Sequence, residues 1–100
     1  MLIRVKLSPE SLGDFAKVVV DIERKMLSVG CELHSDCMQE LIEDGSSAEH
    51  LWGANIYPEV KKIDYISLIN IRPAAGNRSM EITLPDIQTK VQSVIEALLF

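Results

Sequence analysis

The stretch YISLINIRPAAGNRS, residues 65–79, holds the segment from which the fold is predicted. Its first half, residues 65–72, is apolar and β-branched, as is typical of a central β-strand. Its second half, residues 73–79, is interrupted by proline and glycine and therefore predicts a loop. Because loops that follow strands carry many binding residues, this stretch predicts both a central strand and a site.

Further strands are predicted upstream of this stretch. Apolar and polar residues alternate over residues 17–23 and again over residues 26–33, and the short polar break between the two runs predicts a β-hairpin. The same alternation predicts strands at residues 3–7 and 52–57. Pro58 ends the second of these, since proline cannot donate to a strand ladder.

Helices are predicted in three places. A turn or two follows Pro9, and Ser35 or Asp36 is suited to cap a second helix that continues to residue 44. The third helix begins after Thr83, which has capping-box spacing to Asp86. Its apolar stripe, which keeps helical spacing to the end of the chain, consists of Ile87, Val91, Val94, Ile95, Leu98 and Leu99.

The predicted elements follow the order β-α-β-β-α-β-β-α. This order indicates an α+β fold: a single domain over residues 1–100 with a four- or five-stranded, mainly antiparallel sheet and helices packed on one face. The opposite face is then expected to carry the polar side chains of the strands, namely Asp21, Glu23, Glu32, His34, Asn55, Tyr57, Asn70 and Arg72.

Composition restricts the function. The chain has 100 residues and a net charge of −5 at pH 7, so nucleic acid and anionic membranes are poor partners for it. No apolar run is long enough to cross a membrane, and the N-terminal residues have no signal-peptide pattern. We therefore expect a cytoplasmic protein in which Cys31 and Cys37 are reduced, with no cofactor and no bound metal.

Four words of the sequence carry a family resemblance: VVVDIE, VGCELHSD, LWGANIYP and INIRPAAGNRS. Together they resemble an uncharacterised family of short bacterial and archaeal proteins that is described as a domain of unknown function. The resemblance spans most of residues 17–79 and implies a small cytoplasmic protein, with no activity to carry over. It also implies a glycine where this chain has Cys31.

The first candidate site is the loop after the predicted central strand, together with Asn70. Gly76 and Asn77 tolerate positive φ, so that backbone N–H groups there can converge on an anion. Arg72 and Arg78 offer forked recognition of a carboxylate or a phosphate. The alternative is structural: Arg72 pairs with an acidic residue across the sheet, and the other residues form only a turn.

The second candidate site consists of Asp21, Glu23, Glu32 and His34, which fall on one face of the predicted hairpin. Carboxylates and an imidazole suit a divalent metal or acid–base chemistry. The alternative is an ordinary solvated strand face, because acidic residues on an open face need no function.

Two weaker candidates complete the set. Cys31, Cys37 and the two histidines could supply zinc ligands, but their spacings match no standard finger, and both cysteines suit core positions equally well. Gly53 leaves room for the close approach of a ligand or another backbone, with Asn55 and Tyr57 beside it on the predicted strand. The neighbouring tryptophan is predicted to fill the core.

These candidates lead to three functional hypotheses. The preferred one is a binding module for a small polar or anionic ligand at the polar sheet face and the loop. The second is a small metal-assisted or acid–base enzyme that uses the acidic cluster. The third is a homodimer, or larger homo-oligomer, that buries the exposed sheet face around Ile66 and Leu68. The sequence alone does not decide whether the protein is an enzyme.

Overall fold

The computed structural model describes residues 1–100 and contains five β-strands and two α-helices, joined in part by five short 3₁₀ turns. All strand pairs are antiparallel, in the order β1-β3-β2-β4-β5. The predicted α+β fold with an antiparallel sheet is therefore confirmed. The elements are β1 (Leu2–Ile3), β2 (Ala16–Asp21), β3 (Met26–Val29), α1 (His34–Glu43), β4 (Leu51–Tyr57), β5 (Lys62–Asp64) and α2 (Pro85–Leu99).

β2 is the central strand, with β3 on one side and β4 on the other. Its consecutive residues Val18, Val19 and Val20 are all 0% exposed. Successive side chains of a strand point to opposite faces, so burial at consecutive positions means that both faces of the sheet are covered. The predicted hairpin is confirmed, since β2 pairs with β3 directly across a short turn.

Each face of the sheet carries one helix. Val18 and Val20 belong to the larger apolar cluster, which includes Ile95 of α2. Val19 belongs to a smaller cluster with Leu41 of α1. The prediction that the helices share one face is therefore wrong. The run of valines in β2 presents apolar groups to both sides, and each side must be shielded from water.

Residues 65–79 do not form the predicted central strand. Two 3₁₀ turns, Leu68–Asn70 and Pro73–Ala75, take its place. The Ser67 hydroxyl accepts a hydrogen bond of 3.3 Å from the backbone N–H of Ile69. Local side-chain bonds of this kind compete with strand pairing, and here they turn the chain away from a regular ladder.

The strand next to β4 is instead β5, in a segment that the sequence predicts as a polar connection. β5 pairs with the last three residues of β4 and forms an edge of the sheet. It is short and carries Lys62 and Asp64, features that protect sheet edges from pairing with other chains. The same charges remove the apolar alternation that would have predicted it.

Two further boundaries differ from prediction. β3 ends at Val29 and does not reach Leu33, because Gly30 has a φ of +88° and redirects the chain toward α1. α1 then begins at His34 without a side-chain cap. The N-terminal run forms a strand only at Leu2–Ile3. Neither helix combines the length and the apolar character needed to span a bilayer.

Candidate functional site

Arg72 is used by the fold. Its guanidinium donates hydrogen bonds to the backbone carbonyls of Ile69 (3.2 Å), Glu49 (3.2 Å) and Leu51. It also lies over the ring of Trp52, 4.6 Å from the ring centroid. Burial lowers the pKa of Arg72 from its usual 12.5. Arg72 forms no ion pair, so it makes neither the anion fork nor the cross-sheet pair that the sequence suggests.

Asn70 takes the place of a strand partner for β4. Its Oδ1 accepts a hydrogen bond from the Gly53 N–H (2.8 Å), and its Nδ2 donates to the Gly53 carbonyl (2.9 Å). A hydrogen-bonded residue on a neighbouring antiparallel strand would make the same two bonds. Gly53 is needed here because a Cβ would lie 2.6 Å from Cβ of Ser67. At Gly53 the closely approaching group is thus part of the same chain.

Asn77 is 0% exposed and its amide is fully engaged. Its Nδ2 donates to the carbonyls of Asn70 (2.8 Å), Ser79 (3.0 Å) and Glu81 (3.0 Å). Its Oδ1 accepts from the backbone N–H (2.7 Å) and the hydroxyl (2.9 Å) of Thr83. These bonds attach the loop to the segment that leads into α2.

The remaining loop candidates are exposed. Gly76 has a φ of +86° and ends a 3₁₀ turn, a left-handed position that favours glycine. The side chain of Arg78 is exposed and makes no hydrogen bond or ion pair. With Arg72, Asn70 and Asn77 all bonded to backbone groups, Arg78 has no second group beside it with which to fix a ligand.

The predicted acidic cluster is not assembled. Asp21 ends β2, and its Oδ1 accepts hydrogen bonds from the backbone N–H groups of Glu23 and Arg24, both at 2.9 Å. Glu32 and His34 lie beyond the opposite end of the hairpin, because β2 and β3 are antiparallel. No group of three or more His, Cys, Asp or Glu side chains is placed to hold a metal ion.

Cys31 and Cys37 form a disulfide, with their Cα atoms 5.7 Å apart. The prediction of two reduced thiols is therefore wrong. The turn at Gly30 carries Cys31 back onto the first turns of α1, where Cys37 lies. Because zinc binds thiolates, the disulfide also removes the sulfur ligands of the suggested zinc site. The cytoplasmic location relied on reduced thiols and stays a prediction.

A groove of about 390 Å³ lies between the start of α1 and the segment that follows β5. Lys17 of β2, His34 of α1 and Asn55 of β4 contribute polar groups to it. Lys17 and Asn55 are paired across the two strands, so their side chains lie next to each other. The other lining residues are Leu33, Ser35, Ile66, Ser67, Leu68, Ile69 and Met80.

His34 is a fixed part of this groove. Its Nε2 lies 2.8 Å from the carbonyl oxygen of Ala54, so Nε2 carries a proton and donates it to that bond. Burial lowers the pKa of His34 below its usual 6.5, the hydrogen bond to Ala54 opposes that change, and the charge of Lys17 adds to it. The imidazole is accordingly neutral near pH 7.

Lys17 and Asn55 have polar groups that the fold does not use. Asn55 Oδ1 is buried and accepts no hydrogen bond within the chain. Lys17 is half-buried and takes part in no ion pair. A buried acceptor without a donor is costly, and a partly desolvated ammonium is stabilised by an anion. The groove thus offers one acceptor and one cation on adjacent strands.

Exposed apolar side chains surround these polar groups. The exposed fraction is 71% for Leu68, 57% for Leu33, 42% for Ile66 and 41% for Met80. These four residues, here called the apolar rim, all line the groove. An apolar patch beside convergent polar groups is typical of a ligand site or a partner contact.

A larger groove of about 730 Å³ lies between the hairpin turn and α2. Its charged residues, Glu23, Lys25 and Lys90, are all exposed, and none of its side chains has a buried polar atom without a partner. Because partly buried, convergent polar groups distinguish binding sites from surface depressions, the smaller groove is the better candidate.

The sequence identified this groove only in part. His34 and Asn55 are among the predicted site residues, whereas Lys17 and Ser67 are not. Only the strand register places Lys17 beside Asn55, so a search for motifs could not find it. Tyr57, also predicted, lies elsewhere: its ring packs edge-on against Phe15, with 5.3 Å between ring centroids.

Comparison with curated proteins and with solved structures finds no match. A family model described as "Protein of unknown function (DUF5674)" matches residues 3–98. This range includes all four words that carry the family resemblance, so the resemblance is confirmed. The chain therefore belongs to the DUF5674 family of proteins of unknown function.

Proposed function

We propose that the chain is a non-enzymatic binding module and that its site is the groove lined by Lys17, His34 and Asn55. The observation that carries the proposal is the buried, unpartnered Asn55 Oδ1 beside the half-buried, unpaired Lys17. The ligand is a small molecule with an acid group, a hydrogen-bond donor and a short apolar chain.

Each part of this ligand follows from one part of the groove. The ammonium of Lys17 favours a carboxylate, and Asn55 Oδ1 needs a hydroxyl or amine donor. The apolar rim can cover an aliphatic chain, and each buried methylene stabilises the complex by about 0.8 kcal/mol. No acidic residue lines the groove with His34, and the imidazole is fixed by a backbone carbonyl, which favours binding over acid–base catalysis.

A set of small probes tests the proposal by NMR titration of isotope-labelled protein. Leucate, the α-hydroxy acid of leucine, has all three parts. Isocaproate lacks the hydroxyl, the primary amide of leucic acid lacks the charge, and glycolate lacks the apolar chain. We expect leucate to shift the amide signals of Lys17, His34 and Asn55, and each analogue to bind about tenfold more weakly, a loss of about 1.4 kcal/mol. Unchanged signals at these residues with leucate would contradict the proposal.

Two matched lysine variants sharpen this test. Lys17→Met keeps the length of the side chain and removes its charge, so we expect it to lose the preference for leucate over the amide. Lys90→Met makes the same change at an exposed lysine of α2 and should bind leucate as the parent does. Equal preference in parent and Lys17→Met would show that Lys17 does not bind the acid group.

A homodimer is a second candidate function, favoured by the 71% exposure of Leu68 at the centre of the apolar rim. Sedimentation equilibrium of the parent and of Leu68→Lys tests it, since a lysine at a buried dimer contact should shift the protein to monomer. Val60→Lys, at a residue 73% exposed and outside the groove, is the control. A parent that stays monomeric at millimolar concentration contradicts this candidate.

A further inference from the structure

We infer that the Cys31–Cys37 disulfide is a redox switch for the groove: oxidised, it holds the groove wall in place, and reduced, it releases it. This inference rests on the proposed function, because it concerns the regulation of the same site. It follows from where the disulfide lies in the chain.

The disulfide closes a short loop that forms one wall of the groove. Cys31 follows β3 and Cys37 lies in α1, six residues further on. Between them lie Leu33, His34 and Ser35, which all line the groove. The cross-link therefore fixes both ends of the segment that supplies the apolar, imidazole and hydroxyl groups of this wall.

Few other bonds hold this segment to the sheet. Cys31, Glu32 and Leu33 donate no backbone hydrogen bond within the chain, and the Leu33 carbonyl accepts only from the following turn of α1. The one side-chain hydrogen bond from the segment to the sheet joins His34 Nε2 to the Ala54 carbonyl. With the disulfide open, a single hydrogen bond of an exposed-to-buried segment has to hold the wall, and segments with so few attachments open locally.

The two sulfurs differ in access. Cys37 is 1% exposed and packs in the apolar cluster with Val19 and Leu41. Cys31 is half-buried and lines an adjoining groove of about 580 Å³. A reductant therefore reaches the Cys31 side first, and after reduction the Cys37 thiol stays in the core as a small apolar group.

The reductant is a dithiol. One of its thiolates attacks Sγ of Cys31, the S–S bond breaks, and the electron pair leaves on Sγ of Cys37, which takes up a proton. The second thiolate of the reductant then attacks the mixed disulfide and expels Cys31, which is protonated in turn. The protein gains two electrons and two protons, and the dithiol becomes a disulfide.

Hydrogen–deuterium exchange of the full chain, oxidised and reduced with dithiothreitol, tests the release of the wall. Thiol titration confirms that reduction is complete. We expect amides of residues 31–37 to exchange about tenfold faster after reduction, while those of α2 do not change. Unchanged exchange at residues 31–37 would overturn the inference. Equally faster exchange in α2 would also overturn it, because the disulfide would then support the whole fold.

Leucate binding connects the released wall to the site. We expect reduction to weaken leucate binding about tenfold in the parent, and we expect Cys31→Ser/Cys37→Ser to bind weakly with or without dithiothreitol. If the variant does not fold, the reduced parent provides the same comparison. Equal binding by oxidised and reduced parent overturns the switch and leaves the proposed function intact. No binding by the oxidised parent overturns the proposed function and the switch with it, whatever the exchange data show.

Discussion

The two faces of the sheet are held by different interactions. The face toward α2 is part of a cluster of 15 buried apolar residues, whereas the face toward α1 has a cluster of five. On the α1 side, hydrogen bonds of Asn70, Asn77 and Arg72 and the disulfide attach the remaining segments. Apolar burial needs no pairing of atoms, but a polar network must satisfy each donor and acceptor. The groove and its unused acceptor lie on the face where that pairing is incomplete.

β2 shows how one strand serves both faces. Val18 and Val20 point toward α2 and are buried in the larger core. Lys17 and Val19 point the other way, where Val19 packs under α1 and Lys17 reaches the groove. We therefore expect the α2 face to determine whether the chain folds, and the α1 face to determine the shape of the site. The following predictions test this division.

Removal of α2 should have the largest effect. Truncation after Asp86 removes five buried apolar side chains, each worth about 1.5–3 kcal/mol. Because a domain has only about 5–15 kcal/mol of net stability, we expect the truncated chain to be unfolded by circular dichroism. Gln92→Ala, on the exposed side of the same helix, should melt as the parent does. Cooperative melting of the truncated chain would show that α2 is not the main source of stability.

Asn77→Asp should have the next largest effect, because it replaces the Nδ2 donor with an oxygen that faces three carbonyls. We expect a loss of about 3–5 kcal/mol in the free energy of unfolding, measured by urea denaturation. Asn55→Asp makes the same change where the side chain is only half-buried and lies beside Lys17, so its loss should be much smaller. Equal losses would mean that the Asn77 network does not hold the loop.

Arg72→Ala should cost about 2–3 kcal/mol, because it leaves three carbonyls without a donor and uncovers Trp52. Arg72→Lys should not restore the parent stability, since an ammonium cannot reproduce the forked guanidinium. Arg78→Ala, at an exposed arginine, should stay within about ±0.5 kcal/mol. If both alanine variants match the parent in thermal melts, Arg72 does not support the α1 face.

The same contrast explains which parts of the fold the sequence predicts. The hairpin and α2 were predicted correctly because their burial follows a regular period of two or of 3.6 residues. Residues 65–79 were predicted as a strand because their β propensity is high. Propensity does not reveal that a side chain, Asn70, occupies the strand-partner position beside Gly53. Such a replacement depends on atoms that are distant in sequence.

The site was predictable to a similar extent. His34 and Asn55 could be named from residue type, but their meeting with Lys17 depends on the strand register. The disulfide was missed because a six-residue separation says little about distance until the turn at Gly30 is known. The helices were placed on one face because alternation in β2 was interpreted as apolar against polar, although Val18, Val19 and Val20 make both faces apolar.

The pH dependence of stability should give the smallest effect, and it belongs to the α1 face alone. The pKa of His34 is lowered in the folded chain, chiefly by burial, while the unfolded chain keeps a value near 6.5. Below 6.5 the unfolded state therefore binds more protons than the folded state, so stability falls as the pH falls toward the folded pKa and levels off below it. Above that window the full stability is present.

Urea denaturation between about pH 7.5 and pH 5.5, at constant ionic strength, measures this dependence. The range stays above the titration of Glu40 and Asp44, whose pKa values are lowered by hydrogen bonds to Ser28 and to Arg4 respectively. We expect His34→Gln to lose the decrease in stability and His50→Gln to keep it. A decrease that persists in His34→Gln would show that the imidazole is not held neutral by the groove, and the polar wall described for the α1 face would then need a different arrangement of Lys17, His34 and Asn55.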